Sequence, residues 1–167
     1  MQDDADKITS ITSELLDEGQ EIIIMAHSYG GIPATQSLEN LSPAARHRLG
    51  KAGGVKKVVY LSAVVAPVGK SNWDLFGDNV PPFVHVQDDY MSIEPIANAP
   101  LTFSDLPKNE ALDWAKLMLE HSTASFKENL AYAGYNDVEV HYIICEDDMI
   151  VPADVVEILK RVIGVAK

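Results

Sequence analysis

Hydrophobic and polar residues follow patterns along the chain that predict alternating helices and strands. An apolar stripe with helical spacing runs through residues 3–18, and Gly19 is expected to end this first helix. The β-branched apolar run at residues 22–26 is typical of a strand buried on both faces, and the runs at residues 58–65 and 138–145 predict two more strands. Helical segments separate the first two runs, so the pattern predicts an α/β fold with a parallel sheet and right-handed crossovers.

The stretch between the second and third strands breaks this alternation. Residues 66–110 are rich in proline and contain the aromatic residues Trp73, Phe76, Phe83, Tyr90 and Phe103. Such a segment is too long and too apolar for a plain loop. We expect a cap that covers the serine turn described below and lines an apolar pocket; the alternative is a surface excursion that packs its own aromatic side chains. Further helices are predicted at residues 109–120, 122–132 and 152–163.

A short motif joins the first strand to the helix that follows it. Its sequence is small-x-Ser-x-small, formed by Ala26, His27, Ser28, Tyr29 and Gly30. A sharp strand-to-helix turn brings the two backbones close together, so small residues are needed two places before and after the serine. Such a turn strains the serine backbone, lifts its hydroxyl above the sheet and directs the N–H of Tyr29 towards an oxyanion formed there. The motif therefore predicts a nucleophile elbow; the alternative is a glycine-rich turn with an incidental serine.

The composition limits the classes of partner. The 167 residues suit one domain, which we take as residues 1–167 with a cap insertion at residues 66–125. The net charge of −12 disfavours nucleic acid and anionic membranes, and no stretch is long enough to span a membrane. Cys145 is the single cysteine, so we expect no intrachain disulfide and a reducing, cytoplasmic location. We expect no metal and no other cofactor.

Three stretches, at residues 25–31, 59–63 and 142–152, carry a resemblance to a known family. The sequence resembles the α/β-hydrolases of the small, capped esterase type, near plant methylesterases and hydroxynitrile lyases and nearer still to fungal hydrolases. The resemblance implies a partial α/β-hydrolase fold, with a parallel sheet, flanking helices and an inserted cap. It also implies a site in which Ser28 is the nucleophile, the N–H of Tyr29 is an oxyanion donor, and Asp148 is the triad acid, with Asp147 as the fallback.

The chain departs from the family pattern at both ends. The family's base is a histidine roughly 25 residues beyond the acid, after one more helix and strand. Only 19 residues follow Asp148 and none is histidine, and the family's first oxyanion loop is also missing before the first helix, so we expect a chain truncated at both ends. Of the five histidines, His85 in the cap and His121 at a helix end are the two that could approach Ser28.

Two functions from different classes remain open. The first is a serine hydrolase that acts on a small carboxylic ester through an acyl-enzyme. The second is a catalytically inactive relative that binds a small apolar ligand or a partner protein. Lyase chemistry on the same fold stays open as a third. We also expect an unpaired edge at the first strand, which could pair with a second copy of the chain.

Overall fold

The computed structural model describes residues 1–76 and 80–153. Its helices are α1 (Gln2–Asp17), α2 (Gly31–Leu41), α3 (Pro43–Arg48), α4 (Asn72–Phe76), α5 (Pro95–Thr102), α6 (Lys108–Ala115) and α7 (Thr123–Lys127). Its strands are β1 (Ile23–Ser28), β2 (Lys57–Ala63), β3 (Val84–Gln87), β4 (Tyr90–Ile93), β5 (His121–Ser122) and β6 (Glu139–Ile143). A short 3-10 helix, Gly134–Asn136, precedes β6.

The three strands predicted from their apolar runs form one parallel sheet. Their order is β1-β2-β6, and Met25, Val59 and His141 are in register across it. Because all three strands run in the same direction, their carboxyl ends meet at one edge of the sheet. This edge holds Ser28 at the end of β1 and the turn that follows β6.

Helices α1 and α2 cover one face of this sheet and form the main core with it. Leu38 and Leu41 of α2 pack with Val58 and Tyr60 of β2, and all four residues are fully buried. The packing follows from period-2 alternation, which directs every second strand residue towards the helices.

The prediction that β1 is buried on both faces is wrong. Ile23 and Met25 are each 63% exposed, on the face opposite to α1 and α2. Ile143 of β6, which is in register with Leu61 of β2 and lies on the same face of the sheet, is 46% exposed. The apolar run at residues 22–26 predicted burial on both faces, whereas in the described part of the chain its residues Ile23 and Met25 face solvent.

The segment between β2 and β6 contains more structure than the sequence predicted. Strands β3, β4 and β5 form a separate antiparallel sheet, although no strand was expected there. The helix predicted at residues 109–120 ends at Ala115. No helix of the described residues is long and apolar enough to cross a membrane.

The prediction of a helix over residues 122–132 is also wrong beyond Lys127, where α7 ends. The backbone there bonds to other segments instead of continuing a helix. Leu130 exchanges two hydrogen bonds with the backbone of Gly69 and Lys70, of 2.8 and 2.9 Å, and the N–H groups of Ala131 and Tyr132 donate to the Gln36 side chain. Most of the helix predicted at residues 152–163 lies outside the described residues.

Candidate active site at the carboxyl edge of the parallel sheet

Ser28 occupies a strained turn between β1 and α2. Its φ angle is 52°, which non-glycine residues seldom adopt, and the pairing of β1 with β2 shifts register between His27 and Ser28. The carbonyl oxygen of Ser28 accepts a hydrogen bond of 2.9 Å from the N–H of Val64, which fixes the turn to the neighbouring strand. The strained backbone predicted for this serine is therefore present.

Glycine is required at two places in this turn for reasons of space. A Cβ atom on Gly30 would lie 2.9 Å from the His27 carbonyl oxygen. A Cβ atom on Gly31 would lie only 2.2 Å from the carbonyl oxygen of Val64. The motif pointed to Gly30, whereas the tighter contact is at Gly31, where the first turn of α2 passes directly over the chain leaving β2.

The backbone N–H of Tyr29 is free to serve as a donor. It makes no hydrogen bond to any other described residue, and it lies just before the N-terminus of α2. The partial positive charge at this helix end favours an anion nearby. The position therefore suits the oxyanion role that the family resemblance implies.

The Tyr29 side chain connects α1 to the cap segment. Its hydroxyl donates a hydrogen bond of 2.6 Å to Asp4 of α1, and its ring stacks on Phe126 with centroids 4.9 Å apart. Burial and the Asp4 carboxylate raise the pKa of Tyr29 well above its ordinary value. The phenol is therefore a neutral structural contact at physiological pH.

An apolar cleft of about 290 Å³ opens beside Ser28. We call it the Ser28 cleft. Its apolar wall comes mainly from the segment between β2 and β6 and includes Trp73, Val84, Met91, Ile93, Met118 and Phe126. None of the described lining residues is Asp, Glu, Lys or Arg. This arrangement agrees with the prediction that residues 66–110 cover the serine turn and line an apolar pocket.

The two candidate histidines lie in different places. His121 lines the Ser28 cleft, and its ring packs edge-on against Tyr29 and Phe126, with centroid distances of 4.8 and 4.7 Å. Its Nδ1 atom lies 3.4 Å from the Ser125 hydroxyl. His85 lines a separate polar cleft instead. Of this pair, His121 is therefore the one placed in the same cleft as Ser28.

Asp148 lies in the turn after β6, at the same sheet edge as Ser28. One of its carboxylate oxygens accepts hydrogen bonds of 2.8 and 2.9 Å from the N–H groups of Ile150 and Val151.

Tyr142 of β6 lies near this carboxylate. Burial, with a smaller effect of the Asp148 charge, raises the pKa of Tyr142 to about 12. The Tyr142 hydroxyl in turn donates to the carbonyl oxygen of Ala63, the residue paired with Ser28.

The fallback acid Asp147 lies in the same turn and is exposed. Its side chain makes no hydrogen bond to the described residues, in contrast to Asp148. The roles of Ser28, Tyr29 and Asp148 stay predictions. In the described part of the chain, no group of three or more His, Cys, Asp or Glu side chains could hold a metal ion.

Comparison with known proteins assigns the fold that this geometry suggests. A model of the alpha/beta hydrolase family matches residues 2–166. The chain belongs to the alpha/beta hydrolase family. A probable hydrolase from a Phoma species is 40% identical over 152 residues, which cover 90% of this chain and 59% of that protein. An alpha/beta hydrolase from Aspergillus novofumigatus is 24% identical, over 90% of this chain and 60% of that protein.

Solved structures of alpha/beta hydrolases have the same fold. Polyneuridine aldehyde esterase superposes with a TM-score of 0.67 at 16% identity, covering 96% of this chain and 66% of the esterase. A methylesterase from Arabidopsis superposes with a TM-score of 0.61 at 19% identity, covering 92% of this chain and 60% of that protein. The alpha/beta hydrolase chain described here spans about three fifths of the length of the two fungal relatives.

Proposed function

We propose that the protein is a serine hydrolase that acts on a small carboxylic ester by an acyl-enzyme mechanism. The observation that carries the proposal is the strained Ser28, with a φ angle of 52°, placed on the wall of an apolar cleft. A nucleophile needs an exposed position beside a bound substrate, and an elbow of this geometry supplies one. Membership of a hydrolase family supports the same chemistry.

In this proposal the Ser28 hydroxyl attacks the ester carbonyl while a histidine base takes its proton. The N–H of Tyr29 and the N-terminus of α2 stabilise the oxyanion of the tetrahedral intermediate. The alcohol leaves with the proton from the histidine, and water then hydrolyses the acyl-enzyme by the same steps. Asp148 orients the histidine and stabilises its charged form.

Within this chain, His121 is the histidine we propose for a residual base function. It lines the same cleft as Ser28, and its Nδ1 atom faces the Ser122 carbonyl and the Ser125 hydroxyl. Its Nε2 atom makes no hydrogen bond to the described residues and is therefore available to a substrate or a hydroxyl group.

The test is hydrolysis of p-nitrophenyl butyrate by the purified chain. We expect slow turnover, because His121 would act in place of the family's regular histidine and such a substitute supports only residual catalysis. Ser28→Ala should abolish this turnover, and His121→Gln should reduce it further while His85→Gln leaves it unchanged. Turnover that is the same in the Ser28→Ala protein would refute the nucleophile assignment. Robust turnover that His121→Gln abolishes would show that the chain has a complete set of catalytic groups.

The second candidate function is binding of a small apolar ligand without turnover. The observation that favours it is the apolar wall of the Ser28 cleft. A ligand that binds in the cleft, together with equal background hydrolysis by the wild-type and Ser28→Ala proteins, would support this function over the first.

We also propose self-association through the edge of β1. This strand lies at one end of the sheet order, and Ile23 and Met25 on its open face are each 63% exposed. Unpaired strand edges next to apolar surface favour pairing with a second copy.

The composition supports two further parts of the proposal. The acidic net charge disfavours nucleic acid and membranes as partners, and the single cysteine supports a cytoplasmic location.

A further inference from the structure

Asn72 has a buried side chain that no described residue satisfies. It is 2% exposed, and its Oδ1 atom has no hydrogen-bond partner among residues 1–76 and 80–153. Asn72 is also part of the wall of the Ser28 cleft. A buried amide without a partner costs folding free energy, so such a group needs a separate explanation. Its position on the cleft wall points to a ligand.

The neighbouring residues hold Asn72 in place at the start of α4. The Ser71 hydroxyl accepts a hydrogen bond of 3.0 Å from the N–H of Asp74, and the Asp74 carboxylate accepts one of 3.0 Å from the N–H of Ser71. These bonds hold the pKa of Asp74 below its usual range. On the other side, the Lys127 ammonium lies 4.9 Å from the Trp73 ring. The chain on both sides of Asn72 is therefore held by local contacts.

Two other buried oxygens lack partners among the described residues, and they provide a comparison. They are the hydroxyl oxygens of Ser62 and Thr123, and neither residue lines the Ser28 cleft. Asn72 is thus the member of this group that belongs to the wall of the Ser28 cleft. The wall around it is mostly apolar, so a polar substrate atom placed there would have few competing partners.

We propose that Asn72 is a specificity-determining residue that hydrogen-bonds a hydroxyl group of the substrate. The substrate class is then an otherwise apolar ester that carries one hydroxyl on its acyl or alcohol part. A hydroxyl fits because it donates to the amide oxygen and accepts from the amide nitrogen, whichever of the two faces the cleft. This inference rests on the proposed function, since it takes the substrate to be an ester bound beside Ser28.

The experiment measures binding in the Ser28→Ala protein, so that no ester is consumed. Trp73 lines the cleft, and its fluorescence reports binding. The probes are the ethyl esters of 2-, 3- and 6-hydroxyhexanoic acid, each paired with the ester in which a methyl group replaces the hydroxyl. We expect at least one hydroxy ester to bind roughly tenfold more tightly than its methyl partner. Asn72→Leu and Asn72→Ala should each reduce this ratio to about twofold or less.

Thr123→Val is the matched control, because it removes a buried unpartnered hydroxyl that lies outside the cleft wall. It should keep the full preference for the hydroxy ester. No preference in any of the three pairs, or a preference that survives in both Asn72 variants, would overturn the inference. Hydrolysis of p-nitrophenyl butyrate by the wild-type and Ser28→Ala proteins is measured separately. An Asn72-dependent preference without Ser28-dependent turnover would refute the proposed function and leave the binding role of Asn72 in place.

Discussion

Gly31→Ala should destabilise the Ser28 turn more than a glycine-to-alanine change at a site where the added carbon has no close neighbour. The added Cβ atom would lie 2.2 Å from the carbonyl oxygen of Val64 and 3.1 Å from the Cβ atom of Ala63. Ordinary contacts begin at 3.4 Å, so α2 and the chain leaving β2 must separate by about 1 Å. Both contacts are with backbone or a short side chain, which cannot rotate away.

The expected magnitude follows from two contributions. Forcing an extra carbon atom into a packed contact typically costs about 1–3 kcal/mol. The separation also weakens the hydrogen bond from Val64 to Ser28, which contributes about 1 kcal/mol. We therefore expect Gly31→Ala to lower the free energy of unfolding by about 3 kcal/mol.

Urea unfolding followed by far-UV circular dichroism measures this change. Gly19→Ala is the matched control, because Gly19 has a φ of 84° but nothing within 4 Å of the added carbon. Its expected cost is the backbone strain alone, about 1–2 kcal/mol. A loss for Gly31→Ala equal to or smaller than that for Gly19→Ala would refute the explanation from close backbone contact.

Two further predictions concern assembly and pH. Met25→Lys should shift the protein towards monomer in sedimentation velocity, because it places a charge on the exposed face of the edge strand β1. A wild-type chain that is fully monomeric at 100 µM would contradict the proposed edge pairing. Hydrogen bonds from Lys51 and Arg46 hold the pKa of Asp17 below its usual range, so its contribution to stability is present above pH 4 or so and is lost as the pH falls below that value. Urea midpoints should therefore fall less steeply on acidification in Asp17→Asn than in the wild type, and parallel curves would argue against this pair.

The sequence predicted the local features of the site well. The turn at Ser28 depends on neighbours within a few residues, and small residues between an apolar strand and a helix specify it almost alone. The three parallel strands were also predicted from continuous apolar runs, since each run has few other ways to be buried. The resemblance to the α/β-hydrolases predicted the flanking helices and the inserted cap.

Features that depend on distant contacts were predicted less well. Residues 128–132 have helical composition, but the long-range hydrogen bonds of Leu130 and of the Gln36 side chain favour an extended chain. The folded structure of the cap places His121 in the Ser28 cleft and His85 in another cleft, and the sequence could not distinguish the two. The importance of Asn72 was missed because an unpartnered buried oxygen leaves no pattern in a sequence.

The order of the parallel strands has a consequence for how the chain folds. Strands β1 and β2 pair residues such as Met25 and Val59, whereas β2 and β6 pair residues such as Leu61 and Ile143, more than twice as far apart along the chain. Closing the longer loop costs about 0.8 kcal/mol more in chain entropy, so the β1–α2–β2 unit has the kinetic advantage. Ser28 would then reach its strained turn while β6, the strand that precedes Asp148, is still unpaired. Pulse-labelled hydrogen exchange should find amides of β2 protected before those of β6.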